Sequence, residues 1–322
     1  MARLQLSLAM RGYDHVRDLV QGEVRAEGID LVPMELPVEE IFFRFTRHRE
    51  WHVSEMSFGK VAALAARGDP GFVCLPVFPS RVFRHSAIYV RPGAGIAEPK
   101  DLERRRVGIP EWAQTAGVYA RGLLVHEYGV DLASMRWFQA GVREPGRIEK
   151  VELSLPAGVS ITAMPERTLS EMLASGELDA AVSALAPAGG ERLFADYPAV
   201  ELAYWKKTRV FPIMHVVVLR TDVYQRDRWA AVNLARAFEE AKRRSLARAA
   251  EMNAALVPVP WLPDLVARWR AEAGEDFWPY GVEPNRATLQ AFLQYAHEQG
   301  VCRRRLAVEE LFAPETLERA RI

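Results

Sequence analysis

Cysteine is nearly missing from this 322-residue chain, where Cys74 and Cys302 are the only two. They lie far apart, and no CxxC or Cys/His zinc spacing surrounds them, so both read as free thiols rather than a disulfide framework. An excess of either charge is also missing. Lys+Arg and Asp+Glu are both 42, which removes the global basic field that draws proteins to nucleic acid or anionic membrane, and neither is expected as a partner. No window approaches about 18 uninterrupted apolar residues, so no transmembrane helix is expected. Residues 4–10 are too short and interrupted for a signal-peptide core and run straight into Arg11; they read as a first strand, with a cytoplasmic location as the corresponding expectation. Internal repeats and low-complexity tracts are absent. No HxH or ExxH pattern occurs, and the expectation is no metal and no cofactor.

What the chain does have is an alternation of short apolar runs with helical stretches. Strand-like runs fall at 4–10, 29–36, 52–56, 72–76, 107–109, 135–138, 159–163, 180–182 and 213–219. Helical periodicity covers 38–47, 113–128, 169–175 and 229–252, and Thr168 with Glu171 has capping-box spacing ahead of the third. This alternation predicts an α/β fold of two lobes, each with a largely parallel, mixed sheet flanked by helices. The length is comfortable for two cores. The expected division is a discontinuous first lobe, residues 1–92 plus 211–322 with helices at the C-terminus packed on it, and a second lobe at 93–210. Two strands then cross between the lobes. Arg81, Arg84, His85 and Ser86 precede the apolar run 88–90 at the outbound crossing, so cations and a hydroxyl are expected in the interlobe cleft, which should bind an anion.

The order Pro99-Lys100-Asp101-Leu102, Arg106-Val107-Gly108-Ile109-Pro110, Met172-Leu173-Ala174-Ser175-Gly176-Glu177-Leu178-Asp179-Ala180-Ala181 and a returning strand resembles the type 2 periplasmic-binding-protein fold over nearly the whole chain. Within it, Glu39–Arg44, Ser54–Ser57, Ala66–Pro70, Val77–Arg81, Phe83–Ser86, Phe211–His215 and Asp276–Asn285 together resemble the 4,5-dihydroxyphthalate decarboxylase family. The resemblance implies a cytoplasmic homo-oligomer of aromatic catabolism that turns 4,5-dihydroxyphthalate into protocatechuate and CO2. The fold alone would suggest a non-catalytic binding protein for a small carboxylate, and the lack of a signal peptide favours the enzyme. One departure is His52, where relatives are expected to carry aspartate and where the cleft floor would change.

Losing CO2 from a hydroxyarene needs an acid, a base and an anion clamp. Arg81 and Arg84 are the clamp candidates, because guanidinium offers a planar fork to carboxylate; either one also suits a structural acid. Ser86 shares a face with Arg84. His85 and His215 are candidate proton donors, set against a positioning role for His85 and a buried, satisfied ring for His215. Glu55 and Glu111, at equivalent strand ends of the two lobes, are candidate bases, and one of them is equally suited to pairing with an arginine across the cleft. Ser57 lies beside Glu55. Thr115 and Ala116 open a helix whose N-terminus suits a second carboxylate, although a plain helix start explains them too. Trp112, Phe83 and Trp278 are candidate apolar walls, and Tyr13 and Asp14 candidate rim groups. His15, His126 and His297 read as surface groups on helices.

Overall fold

The computed structural model describes residues 3–68 and 70–317, so Asp69 of the Ala66–Pro70 block lies outside the described residues. Among the described residues, eleven strands form two sheets. The first contains β1 (Leu4–Met10), β2 (Ile29–Glu35), β3 (Val53–Ser57), β4 (Phe72–Arg81) and β11 (Ile213–Arg220), in the order β2-β1-β3-β11-β4. The second contains β5 (Ile88–Val90), β6 (Arg106–Ile109), β7 (Arg136–Gly141), β8 (Ile161–Thr168), β9 (Ala180–Val182) and β10 (Glu191–Arg192), in the order β10-β5-β9-β6-β7-β8. Each is mixed: β11 runs antiparallel to β3 and β4, and β5 antiparallel to β9 and β10. The central runs, such as Val53–Ser57 and Ala180–Val182, are buried on both faces, as strands covered by helices must be, while the outer strands β2 and β8 leave many residues exposed.

Helices cover both sheets: α1 (Asp14–Val20), α2 (Val38–His48), α3 (Phe58–Ala65), α4 (Thr115–Tyr128), α5 (Leu169–Ala174), α6 (Tyr197–Thr208), α7 (Thr221–Arg226), α8 (Trp229–Ala249), α9 (Leu262–Ala273) and α10 (Arg286–Glu298). The Thr168/Glu171 capping box forms as its spacing requires, each side chain satisfying the other's backbone N–H ahead of α5.

The chain changes sheets earlier than expected. β5 pairs with β9 and β10, so the outbound switch falls between Arg81 and Ile88 rather than at residue 92. The C-terminal helices also do more than pack on the first half. α8 lies against α1 and β4, but α10 packs on both α3 and α4. The residue after it, Gln299, accepts from Trp112 Nε1 at 2.8 Å and Arg121 Nε at 2.9 Å, and donates to the Val118 carbonyl at 2.9 Å, tying this segment to the second half.

β4 is an edge strand, and the edge tolerates what a central strand would not. Pro76 and Pro79 lack N–H groups, and the ladder with β11 jumps from Leu75↔Val217 to Ser80↔His215 across them. The outer edge is covered near its start, where Cys74 exchanges hydrogen bonds with Leu311 and Ala313.

Candidate active site

Glu55 sits in β3 with no exposure at all. A carboxylate there must be fully hydrogen-bonded, and three donors converge on it. The Tyr13 hydroxyl donates to Oε1 at 2.5 Å, the Arg11 backbone N–H to Oε2 at 2.9 Å, and His215 Nδ1 lies 2.5 Å from Oε1. Local folding brings them together. Tyr13 and Arg11 follow the end of β1, which is parallel to β3, while His215 is delivered by β11, antiparallel on the other side and in register with Ser57. The Glu55 acceptor fixes the His215 tautomer with its proton on Nδ1. The ring's Nε2 makes no hydrogen bond among the described residues, and the side chain is 18% exposed.

Aromatic groups surround the pair. Phe42 on α2 stands edge-on to His215, centroids 5.0 Å apart, and Lys60 Nζ lies 5.6 Å from the Phe42 ring. Burial and the neighbouring Glu55 carboxylate push the Tyr13 phenol well above its usual range, so it remains a donor. Beyond Tyr13 lie His15 and Trp278, with centroids 5.3 Å from Tyr13 to His15 and 5.6 Å from His15 to Trp278. His15 is therefore no surface group. Its helix is a single short one at the end of β1, and its first turn faces inward toward this cluster.

A buried carboxylate holding an imidazole whose far nitrogen is free is an arrangement for moving protons. A curated 4,5-dihydroxyphthalate decarboxylase from Comamonas testosteroni is 38% identical over 330 aligned positions, covering 100% of both chains. The chain belongs to the 4,5-dihydroxyphthalate decarboxylase family. A second curated member, from Pseudomonas putida, is 43% identical over 188 residues, covering 58% of this chain and 73% of its own. No family model matches. Among solved structures, the periplasmic aliphatic sulphonate binding protein SsuA from Escherichia coli aligns with a TM-score of 0.52 at 12% identity, covering 98% of this chain and 99% of its own. The desulfurization enzyme DSZB aligns with 0.52 at 16%, covering 98% of each. These likenesses give the fold, the two-sheet binding-protein architecture expected from the sequence.

In this family member the remaining candidates are dispersed. Glu111, 1% exposed, is engaged by Arg147 Nε at 2.5 Å, Lys150 Nζ at 3.3 Å and Lys60 Nζ at 3.8 Å. Arg147 and Lys150 also reach Glu39 on α2, so Glu111 belongs to an ion cluster joining the two halves. Ser57 Oγ and Thr115 Oγ1 are 3.0 Å apart, and Thr115 Oγ1 also takes the Gly59 N–H at 2.9 Å. Thr115 thus caps α3 and is engaged there, and Ala116 is buried beside it. Arg81 spends Nη1 on the Phe211 carbonyl and Nη2 on the Pro279 carbonyl and Asn285 Oδ1. Arg84 is different: its Nε contacts Met214 Sδ at 3.1 Å, while its Nη groups make no hydrogen bond among the described residues. Burial brings it down to about 10, which leaves it charged near neutrality.

His85 is 1% exposed within a ring of Tyr128, Phe194 and Tyr204, and neither nitrogen has a partner. Burial depresses it to about 4. It lines an aromatic core and does not contact the Glu55 cluster. Ser86 gives its N–H to Glu201. Trp112 has no exposure and stacks edge-on with Trp137 over the Arg121 guanidinium, so it is core rather than a cleft wall. Phe83 stacks on Phe211. Asp14 accepts from Ser245 and Arg248 of α8, away from the rim role. His52 immediately precedes β3 and is bonded to Ser7, roughly 10 Å along the strand from Glu55. His126 pairs with Glu298, and His297 faces the Cys302 carbonyl. Among the described residues no cluster of His, Cys, Asp and Glu could hold a metal, and no helix is long and apolar enough to cross a membrane.

Lys60 and His15 are the groups that sequence reasoning missed. Lys60 follows Ser57 by three residues in an otherwise apolar helix, which is the one signal that could have marked it.

Proposed function

We propose that this chain decarboxylates 4,5-dihydroxyphthalate to protocatechuate and CO2 through a Glu55–His215 pair. The observation that carries the reading is the 2.5 Å contact between Glu55 Oε1 and His215 Nδ1, with Tyr13 completing the carboxylate's shell. In the substrate each carboxylate is para to one hydroxyl. Electron density from that phenolic oxygen flows through the ring to the ipso carbon, which accepts a proton from Nε2 of the doubly protonated His215. The ring-to-carboxylate C–C bond then breaks, its electron pair restores the arene, and CO2 leaves. One proton is consumed overall and solvent returns it to His215. Glu55 holds the imidazole in orientation and stabilises its charged form. Arg84, with free Nη donors at the outbound crossing, is suited to the carboxylate that stays, and Trp278, Phe42 and Phe83 to shielding the one that leaves.

The same reading carries an enzyme that works on a small aromatic carboxylate, in the cytoplasm and as a homo-oligomer. It takes the two sheets with their helices as lobes and the site as the cleft between them.

The test is to incubate purified protein with 4,5-dihydroxyphthalate in D2O, following CO2 by gas detection and protocatechuate by mass spectrometry. The expected product carries one carbon-bound deuterium, and His215→Asn lowers kcat by about 10²–10⁴. Tight binding without turnover would return the chain to a solute-binding role. An undiminished His215→Asn enzyme would remove the pair from the chemistry.

A further inference from the structure

We propose that residues 252–268, an apolar arm and the outward face of α9, form a two-fold contact with a second copy of this chain, an inference that rests on the homo-oligomer reading above and names its surface. Five large apolar side chains are exposed within this short stretch: Met252 at 80%, Leu256, Val259, Trp261 at 77% and Leu265. Other exposed apolar groups, such as Val82, Ile148 and Leu185, are scattered along the chain. No charge falls between Glu251 and Asp264, in a chain that is 26% charged. Local turns gather the arm, with the Leu256 N–H on the Ala254 carbonyl at 2.9 Å and the Val259 N–H on the Val257 carbonyl at 2.8 Å. Trp261 then opens α9 with a left-handed backbone, φ 58°, which a bulky residue adopts only where its surroundings impose it, yet its own chain leaves the indole open to solvent.

The helix has two unlike faces. Val266 is buried and Trp269 packs on Trp205, ring centroids 5.0 Å apart, which fixes the inward side. Trp261, Asp264, Leu265 and Arg268, spaced three and four apart, share the other side, and all four are exposed. Asp264 and Arg268 stand one turn apart, but neither side chain makes an ion pair or hydrogen bond among the described residues. A surface that meets its own copy about a two-fold axis must be complementary to itself. With two α9 helices antiparallel, Leu265 lies near the axis, Asp264 of each copy meets Arg268 of the other, and Trp261 falls across from the small, exposed Ala271. The exposed apolar side chains offer on the order of 600 Å², about 1,200 Å² over two copies, which is the lower end of what a specific, stable interface buries. A lipid surface is the poorer fit, because a loop seated there is flanked by Lys and Arg, whereas the nearest charges here are Glu251 and Asp264.

The experiment measures mass by sedimentation equilibrium for wild type, Leu265→Glu, Asp264→Arg, Arg268→Asp and an equimolar mixture of the last two, with circular dichroism to show that each variant is folded. Wild type is expected to hold an even number of chains, and Leu265→Glu to halve that number, its dissociation constant raised by about 10²-fold or more. Asp264→Arg and Arg268→Asp should each dissociate alone, because like charges then face each other. They should reassociate when mixed, because one copy brings two arginines and the other two aspartates. Damage to the fold of either variant would not be repaired by mixing. An unchanged mass in Leu265→Glu, or charge variants that stay apart when mixed, would overturn this surface while leaving a homo-oligomer in place. A wild type that stays a single chain at the highest concentration measured overturns the homo-oligomer reading and this contact with it. Wild-type binding to phosphatidylcholine vesicles that Leu265→Glu abolishes without any change in mass would give the face to a lipid surface instead.

Discussion

A glutamate in the middle of a buried strand is expensive unless its lone pairs are filled, and Glu55 is filled by a phenol, an imidazole and a backbone N–H. Replacing it with Gln keeps the shape but substitutes an amide that must turn at least one donor toward Tyr13, His215 or Arg11. The imidazole then loses its orienting acceptor. Glu55→Gln is expected to lower kcat by about 10²–10⁴ while the phthalate Ki changes less than about tenfold, measured side by side in steady state. His85 provides the contrasting residue. Its depressed value of about 4, against 6.5 when unfolded, means that the unfolded chain binds more protons between those values. Stability is thus unaffected by this group above about pH 6.5 and falls as pH drops toward 4, by roughly 3 kcal/mol in full. His85→Phe, in a cage of aromatic rings, should raise the urea midpoint at pH 5 and leave decarboxylation at pH 7.5 intact. A large loss of turnover in that variant would place His85 in the chemistry after all.

At the scale of elements, the interruption of β4 at Pro76 and Pro79 builds much of the site wall. Freed from the ladder, the carbonyls of Pro76 and Phe78 turn to new partners: Pro76 accepts from Gly281 N–H at 2.8 Å and Phe78 from Trp278. The 276–285 segment is locked there by Arg81 and Asn285, which meet on the Pro279 carbonyl, and by Asp276 on Lys242. Arg81→Met should therefore act through stability, costing about 3 kcal/mol as buried acceptors lose a charged donor. Arg84→Met should instead raise KM at nearly constant stability. Denaturant melts and steady-state kinetics on the pair separate the two roles. This wall also shows what the sequence could tell. Leu4–Met10 and Ala180–Val182 match their apolar runs residue for residue, because a buried strand is its composition. β4 was legible only to residue 76, since proline reads as a breaker, and only its edge position explains how it continues to Arg81. Glu55 and His215 each stood out, but their convergence spans 160 residues and depends on β11 pairing between β3 and β4. His15 was hidden because a helical context says nothing of which way a first turn faces.

Over the whole molecule, the two halves are held together by more than the chain crossings. Glu111 of the second half sits among Lys60 of α3 and the Arg147 and Lys150 side chains that also bind Glu39 of α2, and Thr115 caps α3 directly. One close approach is at Gly59, where a Cβ would stand 2.4 Å from the Ala113 carbonyl oxygen and 3.3 Å from Thr115 Oγ1. Backbone on both sides leaves no side chain to move aside. Gly59→Ala can be accommodated only by separating the halves, which breaks the Thr115 cap and draws Lys60 away from Glu111. Alanine is also the better helix former, so α3 itself gains slightly. The variant is expected to keep its secondary structure by circular dichroism, to show a larger radius of gyration by small-angle X-ray scattering, and to lose about 10–10²-fold in kcat/KM, because a cleft that cannot close leaves water on the departing carboxylate. An unchanged radius with full activity would mean that the approach of α3 to Ala113 relaxes within one half, and that catalysis does not depend on how tightly the two sheets are drawn together.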